Sequence, residues 1–353
     1  MTIKSLLLGS AAALAAVSGV QAADAIVAAE PEPMEYVRVC DAFGSGFFYI
    51  PGGETCLKIG GYVRFETGFG QNKSGRSDWD SFSRAQFNLD ARSDTELGTL
   101  RGFAEFRANG DTGMGGANAA SSANLGSGAF VLQSFIELGG LRVGKFYSWW
   151  DDSLSGEYDT LSSNALFNSV RYTFGTDALS FGVSVDELEG LTKLGTELDN
   201  NLGVAANLGF ELGGIEGALL GGYDTDNENG AVRGIFTAEL GPGKLGLAGV
   251  WASGVNAYYA ESEWAVAVEY NVKVADKLTL IPGFQYFSKA ESSAANGDFT
   301  GGDKWIAGVA AKYDITKGLS ALVAVNYEDR SDYKDFQVHD DEIKGFFRLN
   351  RSF

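Results

Sequence analysis

The chain has 353 residues, 45% of them hydrophobic, and a formal charge of −19. That length suits one large β domain or two ordinary ones, the apolar content excludes wholesale disorder, and the acidic balance argues against binding a phosphate backbone. Glycine is in excess at 48 residues against only 5 prolines, so neither a collagen repeat nor a proline-rich linker fits, and a single histidine, His339, leaves little material for imidazole chemistry.

In chain order, the first expected element is a secretory signal over residues 1–22. Lys4 supplies a positive start, Ser5–Val17 a small-residue apolar stretch, and Val20, Gln21 and Ala22 a cleavage site. The apolar run is too short to span a bilayer. Without it, 331 residues remain with a charge of −20. Residues 23–57 read as an N-terminal segment, extended around Pro31 and Pro33, that carries Cys40 and Cys56. In an exported chain a disulfide between the only two cysteines is the default, worth about 3 kcal/mol in a chain-entropy model. No later stretch reaches the ~18 unbroken apolar residues of a transmembrane helix, which leaves a soluble exported protein or an outer-membrane β-barrel.

Periodicity separates the two. Residues 58–353 read as a succession of strands of period two. Val63 and Phe65 alternate with Tyr62, Arg64 and Glu66; Ala85, Phe87, Leu89 and Ala91 with Arg84, Gln86, Asn88, Asp90 and Arg92. Leu100, Gly102, Ala104 and Phe106 alternate with Arg101, Phe103, Glu105 and Arg107. Farther on, Trp264, Val266, Val268 and Tyr270 face away from Glu263 and Glu269, and Trp305, Val309 and Tyr313 away from Lys304 and Lys312. Aromatic residues at both ends of the apolar faces match the interfacial girdles of a barrel in lipid. Short turns, as at Gly139–Gly140 and Gly241–Gly243, alternate with long polar connections, as at Gly110–Gly128 and Ala290–Asp303. The count gives sixteen strands, with fourteen and eighteen left open, and 18.5 residues per strand plus connection. Pro282 is the one proline placed inside a strand, where a bulge is expected. The fold class is therefore all-β, a transmembrane antiparallel barrel.

The chain ends Phe346-Phe-Arg-Leu-Asn-Arg-Ser-Phe353. A terminal Phe353 on an alternating strand resembles the signal by which outer-membrane barrels are assembled. Arg351 stands where an apolar residue is usual and must snorkel or meet a neighbouring subunit.

The stretch from Glu35 to Tyr62, the segment Arg142-Val-Gly-Lys-Phe-Tyr-Ser-Trp-Trp-Asp-Asp152 and Asn168-Ser-Val-Arg-Tyr172 closely resemble the alphaproteobacterial outer-membrane porins, the general diffusion porins of the rhizobial and brucella type. The resemblance runs from the signal to Phe353. It implies sixteen strands, a homotrimer, and a third extracellular loop, here about Ser148–Phe167, folded inward to narrow the channel. On that loop Asp151, Asp152, Glu157 and Asp159 would face a basic wall for which Arg64, Arg84, Arg101, Arg107 and Lys145 are the candidates. The first four lie on polar strand faces. Lys145 falls in step with Val143, so its place rests on the resemblance. Opposed charges across a narrow aqueous gap set ion preference.

The expected function is passive diffusion of small hydrophilic solutes and ions. A solute-selective channel is the alternative within transport, and a plugged barrel acting as an adhesin or structural protein the alternative outside it. Catalysis finds little support: His339 sits among carboxylates, and no Gly-x-Ser-x-Gly elbow, phosphate loop or zinc spacing accompanies it. Expected partners are outer-membrane lipid and lipopolysaccharide; the acidic tracts Asp224–Glu228 and Asp329–Glu342 could hold bridging divalent cations, but they read first as solvated loop tips. No cofactor, metal or nucleic acid is expected.

Overall fold

The computed structural model describes residues 37–71, 77–111, 127–156, 161–163, 165–176, 178–188, 192–193, 196–197, 201–293, 295–333 and 341–353. The expected signal peptide, Glu157, Asp159 and His339 lie outside the described residues.

Sixteen long strands run through the described residues. They are β1 (Cys56–Phe69), β2 (Trp79–Thr95), β3 (Gly98–Asp111), β4 (Ser127–Leu138), β5 (Leu141–Tyr147), β6 (Leu166–Gly175), β7 (Leu179–Glu187) and β8 (Leu202–Leu212). There follow β9 (Ile215–Asp224), β10 (Asn229–Leu240), β11 (Gly243–Ala252), β12 (Trp264–Ala275), β13 (Leu278–Ser288), β14 (Lys304–Thr316), β15 (Leu319–Asp329) and β16 (Asp341–Ser352). Each pairs antiparallel with the next, and β1 pairs with β16 from Tyr62–Ser352 to Phe69–Gly345, so the sheet closes on itself. Closure leaves no strand edge unpaired, the condition for crossing lipid with strands.

The connections alternate in length. Two-residue turns join β2 to β3, β4 to β5 and β8 to β9, the last through Gly213 and Gly214, both at positive φ (60° and 82°). At the opposite end the connections are mostly longer, among them 148–165 after β5 and 253–263 after β11.

Alternation assigns the faces as the sequence implied. Val63, Phe87, Val170, Val232 and Val266 are exposed outward, while Gln86, Asp90, Glu105 and Glu269 from the other parity are buried. Outward aromatic residues form a belt near the long connections, with Trp264 on Tyr286 at 5.4 Å and Trp305 on Tyr327 at 5.2 Å between ring centroids. A second belt near the short turns includes Phe210 and Phe236, 6.0 Å apart.

Pro282 carries no bulge. It pairs with Val309 of β14 in regular register, and the ladder to β12 skips Tyr270 and Asn271 and resumes in the same register, because a missing N–H interrupts hydrogen bonding without forcing an extra residue. The bulge that matters to the inner wall is at Leu132, where Glu105 pairs with Gln133 but Phe106 with Val131.

The barrel begins at Cys56, two residues before the expected boundary. Ahead of it, residues 39–55 form a small lobe tied to β1 by the Cys40–Cys56 disulfide. Phe47 of this lobe is buried between the cations of Lys58 (5.8 Å) and Arg92 (5.2 Å), at the short-turn end. At that end too, Arg351 donates through Nη1 to the Gly318 carbonyl at 3.2 Å, the snorkelling route to polar backbone.

Candidate functional site: the inner face and the third long connection

The inner wall of β16 and β1–β3 is basic because inward parity brings arginines of neighbouring strands side by side. Arg64 and Arg84 face each other directly in register. Arg84 Nε donates to Asn109 Oδ1 at 2.7 Å and Arg64 Nε to Asn350 Oδ1 at 3.2 Å. Both partners are neutral, so the two positive charges are not cancelled. Arg107 donates twice to Gln86 Oε1, at 3.0 and 2.9 Å, with Glu105 at 3.5 Å. Each of Arg64, Arg84 and Arg348 lies over an aromatic ring two residues away on its own strand, Tyr62, Phe82 and Phe346, at 4.7, 5.0 and 4.5 Å. The rings hold the planar guanidinium groups along the wall.

Toward the short turns the arginines are compensated instead. Arg92 and Arg101 both bind Asp90, at 2.8 and 3.0 Å, and Glu137 takes Arg142 at 2.5 Å with Arg101 at 3.9 Å. Arg101 therefore points inward as the sequence implied, but two carboxylates offset its charge.

Lys145 does not belong to the inner wall. It pairs with Ser134 and Asn168 and shares the parity of the exposed Val143 and Val170, which places it on the outer face. Its neighbours Phe146 and Arg142 turn inward instead, and Arg142 is the basic residue of this strand that the sequence reading missed.

The third long connection opens with a single 3₁₀ turn over Trp149–Asp151, capped by the Ser148 side chain. It is seated on the inner wall by three contacts. Trp149 lies against Gly182 of β7, where a Cβ would come within 2.4 Å of the indole, so only glycine leaves room. Arg233, inward on β10 and buried, donates to four of the connection's carbonyls: Trp150 (3.1 Å), Leu161 (2.7 Å), Trp149 (3.1 Å) and Asp152 (2.7 Å). Glu269 of β12 accepts from the backbone N–H groups of Ser155 and Gly156, both at 2.7 Å, and from the Ser155 hydroxyl. Trp150, Leu154 and Leu161 are buried in an apolar cluster with Ala231, Ile235, Ala248, Val250 and Ala267 of the wall.

Asp151 lies on this connection, where burial, reinforced by the neighbouring Asp152 carboxylate, pushes its carboxyl up to about 6 against the pull of Arg233 and Arg107. Sequence reasoning missed Arg233 and Glu269 as site residues. The available signal was a lone charge set among small apolar residues of the same parity, as Arg233 is between Ala231 and Ile235.

A closed sixteen-strand barrel with girdled outer faces and a charged lumen bears directly on the comparison with known proteins. A family model described as a porin subfamily matches residues 24–347. The chain belongs to the porin family. Outer membrane protein IIIA of Rhizobium leguminosarum bv. viciae is 45% identical over 95% of this chain and 92% of its own length. Porin Omp2b of Brucella canis is 36% identical over 93% and 85%. Among solved structures, the outer membrane channel DcaP of Acinetobacter baumannii superposes with a TM-score of 0.64 at 12% identity, over 86% of this porin and 99% of that chain, a likeness of fold. This porin is thus an integral β-barrel of the outer membrane and forms a channel, and its family and fold are those of a channel rather than an enzyme.

Proposed function

We propose that the third long connection, residues 148–165, forms the constriction of a water-filled channel through which small hydrophilic solutes and ions diffuse passively. Asp151 and Asp152, joined by Glu157 and Asp159, supply its negative side, and Arg64, Arg84 and Arg107 its positive side. The observation that carries this reading is the seating of the connection on Arg233 and Glu269, on the same inner face that Arg64 and Arg84 line elsewhere in the barrel. Local charge outweighs distant charge because salt screens beyond about 8–10 Å at physiological ionic strength. The channel therefore prefers cations weakly, since the facing arginines offset part of the acidic potential.

The working unit is a homotrimer, formed through the outer face of β1–β4. That face sets Ser81, Ser83, Ala85 and Ala108, with a Thr67–Ser81 hydroxyl contact of 2.7 Å, among exposed apolar residues such as Val63, Phe65, Phe87 and Ile136, a mixed surface that a partner subunit would cover. Residues 1–22 are removed on export, and Phe353, on the outer face against Phe87 at 5.8 Å, serves as the assembly signal.

Single-channel recording in planar bilayers tests the constriction. The pair Asp151→Asn with Asp152→Asn is expected to move the zero-current potential in a KCl gradient toward anion preference. An unchanged potential removes the connection from the permeation path.

A further inference from the structure

The third connection does not rest on the wall directly along its whole length. Trp150 itself reaches Gly222 of β9, and beside it, over Gly203 of β8 and Gly222, lies Tyr258, delivered by a different connection, 253–263, and fully buried. One side of its ring meets the third connection and the strand that follows it: the centroid is 6.0 Å from Trp150 and 5.6 Å from Phe167. Elsewhere it packs against bare glycine backbone, the hydroxyl end at Gly203 and the ring at Gly222. A Cβ on Gly203 would come within 2.2 Å of the Tyr258 hydroxyl, and one on Gly222 within 2.7 Å of its ring.

The ring is fixed from both ends. Its hydroxyl donates to Asp186 Oδ2 at 2.6 Å, and Asp186 also accepts from Ser169 at 2.6 Å and Ser184 at 3.2 Å. At its backbone, Asn256 Oδ1 accepts from the N–H groups of Tyr258 and Tyr259, both at 3.0 Å, and Asp224 accepts from Ala257 N at 2.9 Å. Burial and the Asp186 carboxylate push the Tyr258 hydroxyl far up, so it stays protonated and donating.

We propose that Tyr258 is a positioning residue for permeation: a spacer whose ring sets how far the third connection stands off the wall, and so how wide a gap remains before Arg64, Arg84 and Arg107. The proposal rests on the reading of that connection as the constriction. An aromatic ring is about 3.5 Å thick in packing contact, a large fraction of a solute's width in a narrow pore. Arg233 supports Trp150 too, its guanidinium 5.1 Å from the indole centroid on the β10 side, and Glu269 fastens the connection farther along, so the Tyr258 ring is the support on the β8 side. Without the ring, Trp150, already against Gly222 at one edge, settles toward Gly203 and the gap widens. With a methyl group added beneath the ring, Tyr258 is lifted and the gap narrows.

The test exploits these opposite signs, with purified oligomer in planar bilayers and heat-modifiable migration in gels to show that the barrel is folded. Tyr258→Ala is expected to raise unitary conductance by about 1.3-fold and to weaken cation preference as Asp151 recedes from the basic wall. Gly203→Ala is expected to lower conductance, and the double variant to behave as Tyr258→Ala alone, because the added methyl then meets nothing. Tyr258→Phe keeps the ring and is expected to restore wild-type conductance. Loss of folding in general would move both single variants the same way. Unchanged conductance in folded Tyr258→Ala, or a shift of both single variants in one direction, overturns the proposal. If Tyr258→Ala does not fold, Gly203→Ala decides alone: a fall supports the spacer, and no change or a rise refutes it. If the Asp151/Asp152 pair moves the zero-current potential while these variants leave conductance untouched, the spacer is wrong and the constriction stands.

Discussion

The two sides of the lumen are built on opposite principles. From β8 to β13 many inward positions are small and apolar, as in Ala231, Ala248, Val250 and Ala265, with Arg233 and Glu269 set among them, and they are covered by the third connection and by Tyr258 and Tyr259. From β16 through β1 to β3 the inward positions are mainly charged and amide residues interleaved with the rings Tyr62, Phe82 and Phe346, with Arg64, Arg84 and Arg107 foremost. One side is a protein core turned inside out, and the other is a wetted wall. A plugged barrel would need the first kind of surface all round. If the third connection is the constriction, the aqueous path runs nearer the open side, and a substitution acts differently on the two borders: on the covered side it changes geometry, on the open side it changes charge.

The largest expected effect lies on the covered side. Arg233→Met removes the donor to four carbonyls, and leaving buried acceptors unpaired costs on the order of 3 kcal/mol locally. The connection should then fray, seen as strongly increased open-channel noise and new protease cleavage within 148–165, while the barrel stays heat-modifiable. Quiet current and an uncleaved loop would mean that the apolar seat alone suffices. On the open side, Arg64→Gln with Arg84→Gln should move the zero-current potential toward cations by roughly twice as much as Arg92→Gln with Arg101→Gln, because the second pair lies toward the short turns and salt screens its charge from the constriction. Equal shifts would mean that both pairs line the narrowest part of the path.

The smallest effect is a titration. The Asp151 carboxyl sits at about 6 rather than 3.8, so its ionised form is disfavoured in the folded connection. The seating of the loop is then tightest below the ordinary value and relaxes as pH rises through 6, while cation preference runs the other way, fading as pH falls from 7 to 5. Asp151→Asn should flatten that pH profile. A profile that survives the substitution assigns the titration to another group.

Most of the fold is legible in the sequence because period two is a local signal. Val63-Arg64-Phe65 reads the same alone as within a barrel, and its partner strand adds only the register. The arginines of the open wall were found for that reason. Lys145 misled because resemblance outweighed parity: it stands in step with Val143, and parity was right. Arg233 and Glu269 were illegible for a different reason. Their partners are backbone groups 72 to 84 and 113 to 114 residues away in the chain, and no pattern within a strand encodes which carbonyl it will meet. The covered side was missed likewise, since Gly and Ala alternating with Val and Leu describe a lumen wall and a seat for a loop equally well.

The ladder between β1 and β16 joins residues far apart in sequence, such as Arg64 and Asn350, 286 positions apart. Every other long strand pairs with its immediate successor. The assembly clock of the molecule is therefore set at one seam. Fifteen hairpin-like pairings are local and fast to nucleate, but the sixteenth must wait until the whole ribbon has curled. Until then two rows of bare N–H and C=O groups confront hydrocarbon, each unmet group costing several kcal/mol. Every rung that closes removes such a cost, so the shut seam is the stable end point and opening it exposes bare groups rung after rung. The same seam that delays folding gives the finished channel its kinetic persistence.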